Sequence, residues 1–126
     1  MGCNNTKFRN AELTFFVPPI SGGKVISVYD GDTFTIVSEL NINGIKKDYK
    51  FRVRIREIDA PEIRGVDKYN AIISRDFVNQ RIMNNNVILD RVAYDKYGRI
   101  LADVYYNGIN LGQELLENNL AKKYGS

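Results

Sequence analysis

From Phe51 to Arg56 the chain alternates apolar and arginine side chains one for one. Successive side chains of an extended chain point to opposite faces, so this period fits a strand with Phe51, Val53 and Ile55 toward a core and Arg52, Arg54 and Arg56 on the other side. Pro61 marks its end. A lone strand buries nothing, and the remaining sequence supplies partners for it. Segments 24–29 and 33–40 read as strands separated by an Asp30-Gly31 turn, and the arginine strand covers about 47–58 after a turn at Asn43-Gly44. Segments 86–94 and 100–106 flank Asp95-Lys96-Tyr97-Gly98 as two more strands. Tyr69, Ile72, Ile73 and Phe77 recur at helical spacing and predict a helix over roughly 68–84. Asn107-Gly108 turns the chain toward a last helix, where Asn110 and Gln113 resemble a capping box and Leu111, Leu115 and Leu116 form the apolar face. Residues 13–23 suggest a short lead-in strand broken by Pro18-Pro19.

Three strands, a helix, two strands and a helix do not alternate as a parallel sheet requires. The order predicts a mainly β, α+β fold, a five-stranded Greek-key barrel of the OB type with two to three helices. Residues 1–20 read as an N-terminal extension and 21–126 as one domain. A chain of 126 residues can bury such a core without disulfides. Its net charge of +3 leans only mildly toward phosphate-bearing partners.

The absent residue types narrow the chemistry. There is no histidine and only one cysteine, Cys3, which excludes an internal disulfide and argues against a Cys/His zinc site. Hydrolysis near neutral pH would have to use carboxylates, arginines, lysine or tyrosine, or a metal held by oxygen.

Three motifs stand out: Asp30-Gly31-Asp32-Thr33, the run from Arg54 to Asp59-Ala60-Pro61-Glu62, and Asp95-Lys96-Tyr97-Gly98-Arg99. Singly, each also fits an ordinary turn or hairpin tip. Together, and in this order, they resemble the staphylococcal nuclease family over most of the chain, from about Lys24 to Tyr124. The resemblance implies that Asp32, Asp59 and the main-chain carbonyl of Ala60 hold a single Ca²⁺, with Ala60 in place of the family's threonine. Glu62 then stands beside the attacking water, Arg54 and Arg99 grip the scissile phosphate, and Lys96 and Tyr97 lie near the neighbouring phosphate. Asp30 is a nearby acid outside the metal's first ligands. The loop after Gly65 is shorter than in the family's best-known member. Residue chemistry agrees, since Ca²⁺ takes hard oxygen ligands and guanidinium groups match phosphate oxygens with paired donors.

The expected activity is therefore a Ca²⁺-dependent nuclease acting on single- or double-stranded DNA and RNA with little sequence preference. By resemblance it leaves a 3′-phosphate and a 5′-hydroxyl, and it works as a monomer. Replacing Arg54 or Arg99 by Lys is expected to cut turnover and leave folding intact. The rival expectation is an OB-fold module with weak or no catalysis that binds nucleic acid or protein. Met1-Gly2-Cys3-Asn4-Asn5-Thr6 fits an N-myristoylation signal at Gly2, with Cys3 placed for a palmitate. Two acyl chains would hold a cytoplasmic protein on a membrane, so a membrane-tethered interaction protein is a third expectation.

Overall fold

The computed structural model describes residue 13 and residues 16–125. The acylation expectation at Gly2 and Cys3 lies outside the described residues, whereas the lead-in segment 13–23 is described except at 14 and 15 and does not form the separate strand expected of it. Among the described residues before Ser21 there is no strand, and the first one starts at Gly22, two residues earlier than the pattern suggested.

The elements are β1 (Gly22–Asp30), β2 (Thr33–Ile42), β3 (Ile45–Ile55), β4 (Ile58–Asp59), α1 (Lys68–Ile82), β5 (Asn86–Tyr94), β6 (Ile100–Tyr106), β7 (Ile109–Asn110), α2 (Leu111–Glu117) and β8 (Lys122–Lys123). Strands β1, β2 and β3 form an antiparallel meander, and β5 pairs with both β1 and β6. A short parallel pairing of β3 with β6, Val53↔Ile100 to Ile55↔Ala102, joins the two ends of this sheet. Five strands thus follow one another in a ring, β1-β2-β3-β6-β5, as the OB-type expectation required. Two helices complete it.

The period-two pattern explains the core. Val25, Phe34, Ile36, Val53, Ile55, Ile100, Ala102 and Val104 point into the ring and are almost wholly buried. The Asn-Gly pairs at 43–44 and 107–108 both adopt positive φ, the conformation a tight two-residue hairpin needs. The helices add Val78 and Ile82 from α1 and Leu111 and Leu115 from α2.

Three expectations need correction. The helix exists, but its buried face is Ala71, Ser74, Val78 and Ile82, whereas Tyr69 is 76% exposed and Ile73 39%. Small residues face inward because α1 lies close to the chain at Gly31, where a Cβ would come within 2.9 Å of the Ser74 Cβ. Bulkier apolar residues are displaced to the flanks. The arginine strand ends at Ile55 rather than 58: Arg56 and Glu57 form a turn, with Glu57 at φ 66°, before β4 resumes. The turn of the first hairpin is Gly31-Asp32, because Asp30 still pairs with Thr33. At Gly31 the absence of a side chain serves close approach.

Candidate active site

The first hairpin turn, the ends of β3 and β4, and the β5–β6 hairpin border one cleft across the outer face of the ring. Asp30, Asp32, Arg54, Asp59, Glu62, Lys96, Tyr97 and Arg99 all line it. Ala60 does not. It is buried behind the cleft and takes part through its backbone.

Asp32 is fixed by four hydrogen bonds. Its Oδ2 accepts the Ala60 N–H at 2.8 Å and its Oδ1 accepts the Thr33 hydroxyl at 3.0 Å. Its own N–H donates to Asp30 Oδ1 at 3.1 Å, and its carbonyl accepts the Ile55 N–H at 2.9 Å. The carboxylate is therefore held in one orientation, in a residue only 4% exposed. Asp30, equally buried, has its pKa pushed up to about 7, first by burial and then by repulsion from Asp32.

Arg54 lies between the two candidate ligand carboxylates. Its Nη2 is 3.5 Å from Asp32 Oδ2 and 3.5 Å from Asp59 Oδ1. Its Nη1 donates to the carbonyls of Ile55 at 2.7 Å and Ile58 at 2.8 Å. These two bonds tie together the chain on either side of the Arg56-Glu57 turn. They account for the early end of the strand, because the guanidinium gathers carbonyls that an uninterrupted ladder would keep apart. This second, structural duty of Arg54 is not visible in the strand's alternation.

Arg99 is held differently. Its Nε donates to Asp95 Oδ2 at 2.8 Å, while Asp95 Oδ1 accepts the backbone N–H groups of Tyr97 and Arg99, both at 2.9 Å. Burial raises the Asp95 pKa, but the bonds from Arg99 and Tyr97 outweigh it and hold the carboxyl below its ordinary value. Both Nη groups of Arg99 are left without a protein acceptor among the described residues. The exposed Tyr97 ring sits 5.2 Å from the Arg99 guanidinium and 5.2 Å from the Lys96 ammonium. Glu62 is exposed at the cleft edge and has no side-chain partner among the described residues.

One contributor escaped the sequence reading. Strand β8 pairs with β4, Asp59↔Lys122, and the Tyr124 N–H donates to the Glu57 carbonyl at 2.9 Å. The Tyr124 ring lies 6.0 Å from the Arg54 guanidinium and closes that side of the cleft. A two-residue strand carries no periodic signal, so only the aromatic residue beyond the last helix could have drawn notice.

Among the described residues, no three Asp, Glu, His or Cys side chains converge as a metal-holding group. A cation between Asp32 and Asp59 would draw on two carboxylates, main-chain oxygen and water. That donor set is all hard oxygen and leaves room for substrate, which suits Ca²⁺. The crowding of Asp30 against Asp32 is of the sign that a nearby divalent cation relieves. Two anchored arginines, two clustered carboxylates and a free one could together bind a phosphodiester and activate water.

Residues 52–126 match the family described as Staphylococcal nuclease homologue, a stretch that includes Arg54, Asp59, Glu62 and Arg99. The chain belongs to the staphylococcal nuclease family. Named relatives agree. An "Uncharacterized endonuclease" of Haemophilus influenzae is 33% identical over 101 residues, 80% of this chain and 51% of the relative. A protein of the same name from Escherichia coli is 30% identical over 103 residues, covering 81% and 60% respectively. The "Probable staphylococcal-like nuclease CAN3" of Oryza sativa subsp. japonica is 31% identical over 75 residues, 57% of this chain and 18% of the relative. The chain thus spans between half and three fifths of the length of the two bacterial relatives. Asp30 and Asp32 precede the matched stretch, yet the fold brings both into one cleft with Arg54, Asp59, Glu62 and Arg99, which lie within that stretch.

Proposed function

We propose that this staphylococcal nuclease domain hydrolyses phosphodiester bonds of DNA and RNA with Ca²⁺ held at Asp32, Asp59 and the carbonyl of Ala60. The observation that carries this reading is the position of Arg54, paired at 3.5 Å with both carboxylates in a cleft that Glu62 and Arg99 also line. A bound Ca²⁺ would supply Lewis acidity toward a phosphate oxygen. The side chains do the rest. Arg54 and Arg99 meet the equatorial phosphate oxygens, where negative charge grows as water attacks in line. Glu62 orients that water and accepts its proton. A bond forms from the water oxygen to phosphorus, the bond to the 5′ oxygen breaks, and that oxygen takes a proton from solvent, so the products are a 3′-phosphate and a 5′-hydroxyl. Lys96 and Tyr97 hold the adjoining nucleotide.

The nuclease names of the relatives support this reading, as does the presence of all five charged groups, Asp32, Arg54, Asp59, Glu62 and Arg99, on one cleft. The test is hydrolysis of single-stranded DNA with Ca²⁺ and with a calcium-selective chelator. Cleavage that disappears in chelator is expected. Binding without cleavage under either condition would instead identify an OB-fold adaptor.

A further inference from the structure

Outward-facing residues of β1, β2 and β3 continue the cleft away from the candidate active site. The strand pairings place them in successive rows. Arg54 pairs with Thr33, Arg52 with Thr35, and Thr35 in turn with Ser27. The next row is Lys50, Val37 and Lys24. Arg54, Arg52 and Lys50 therefore share one face of β3 at intervals of two residues, roughly 7 Å apart along a strand. Between them and β1 stand Thr33, Thr35 and Val37 on β2, small side chains that keep the face shallow. Arg52, Lys50 and Lys24 are exposed and have no acidic or hydrogen-bonding partner among the described residues. By contrast Arg91 on β5 is fully engaged by Asp103 and Glu57. Tyr29, 52% exposed, is the extra residue of a β-bulge between the pairs Val28↔Phe34 and Asp30↔Thr33, and it lines the cleft beside Ser27.

We infer that this face is a binding track for single-stranded nucleic acid, leading the strand away from the scissile phosphate. Arg52 and Lys50 contact successive phosphates and Tyr29 stacks on an unpaired base. The inference rests on the proposed nuclease reading for its direction and extends the substrate beyond the nucleotide held at Lys96 and Tyr97. Charge complementarity and continuity with the cleft argue for a polyanion. The interval of two residues is commensurate with phosphates of an extended strand, and an exposed aromatic ring can stack only on a base freed from its partner. Duplex DNA offers no such base.

The experiment measures binding of a fluorescein-labelled thymidine strand of about 12 nucleotides, within the span an OB barrel covers, in chelator so that nothing is cut. In the wild type, log affinity falls linearly with log salt. The double variant R52Q/K50Q should bind more weakly, with that slope reduced by about 1.4, or ~0.7 for each lost phosphate contact. The charge-matched variant K68Q/R75Q on α1 should keep the wild-type slope. Tyr29→Ala should weaken binding roughly tenfold at every salt concentration, with the slope unchanged. No binding by the wild type, an unchanged slope in R52Q/K50Q, or an equal loss in K68Q/R75Q overturns the track. The two readings fail separately. A protein with the expected slopes that does not hydrolyse DNA in Ca²⁺ keeps the track and loses the nuclease reading, and one that hydrolyses with unchanged slopes does the reverse.

Discussion

Asp32 and Ala60, 28 residues apart, are joined by a 2.8 Å hydrogen bond from the Ala60 N–H to the Asp32 carboxylate. The bond ties the first hairpin turn to the residue that follows β4, so the two halves of the proposed metal site share one rigid connection. The contact is made by the backbone of Ala60, so it does not depend on the side chain at that position.

Asp32→Asn separates charge from connection. The amide oxygen can still accept the Ala60 N–H, so the melting temperature should move by only a few degrees. Loss of the carboxylate charge should lower Ca²⁺-dependent cleavage of single-stranded DNA by orders of magnitude. Asp32→Ala loses both and should also lower stability by ~1–3 kcal/mol, since a buried N–H is left without its acceptor. Equal unfolding midpoints in urea for the two variants would contradict this division.

Arg54→Lys should impair folding as well as turnover, contrary to the expectation from sequence. An ammonium cannot reach the Ile55 and Ile58 carbonyls while also facing Asp32 and Asp59. The expected loss is ~1–3 kcal/mol of stability, together with a fall in turnover of several powers of ten. Arg99→Lys should affect turnover alone, because Arg99 holds its own hairpin and its backbone bonds to Asp95 persist. Urea titrations of both variants check the contrast.

How far the sequence could be read follows from the range of each interaction. Strands β2, β3, β5 and β6 show plain alternation, because one face of each is buried and the other wet, and their limits fell within a few residues. The OB-type barrel class also followed from element order, whereas the closing pairing of β3 with β6 came from the structure. The face of α1 did not. Ala71 and Ser74 point inward for lack of space beside Gly31, and a hydrophobicity pattern carries no information about space. At the site, motif order indicated which residues to group, and the structure brings all of them except Ala60 to one cleft. Three things were not legible: the carbonyl bonds of Arg54, the return of β8 to β4, and the burial that raises Asp30. Each depends on contacts between segments distant in the chain or on backbone atoms that every residue possesses.

Gly31→Ala tests that spatial constraint. The new Cβ would meet the Ala60 Cβ at 2.8 Å and the Ser74 Cβ at 2.9 Å, closer than van der Waals contact allows. Something rigid must shift, at ~1–3 kcal/mol, and Asp32 is carried with it. Ala60→Gly in the same chain removes one of the two clashes and should restore part of the loss. Calorimetric melting of the single and double variants gives the comparison, and a single variant as stable as wild type would refute the packing argument.

Asp30 makes stability depend on pH in a direction opposite to that of most carboxylates. Its folded pKa of about 7 lies above the ordinary value of 3.8, so between those pH values the folded state keeps a proton that the unfolded chain has lost. The unfolded state binds fewer protons, and folding stability therefore falls as pH rises through this window, by at most ~1.4 kcal/mol per pH unit. Above about pH 7 the loss is complete and levels off. Asp30→Asn imitates the protonated acid: its oxygen can accept the Asp32 N–H, and its amide can donate toward the Asp32 carboxylate. In chelator, the variant should match the wild type in urea at about pH 4, near the unfolded pKa, and exceed it above pH 7, so the difference between them grows with pH. Calcium should narrow the gap, because a cation bound between Asp32 and Asp59 favours the charged form of Asp30 and stabilises the wild type by mass action. Parallel stability curves for the two proteins across this range would show that Asp30 does not titrate in the window. A gap that calcium leaves untouched would place the cation elsewhere.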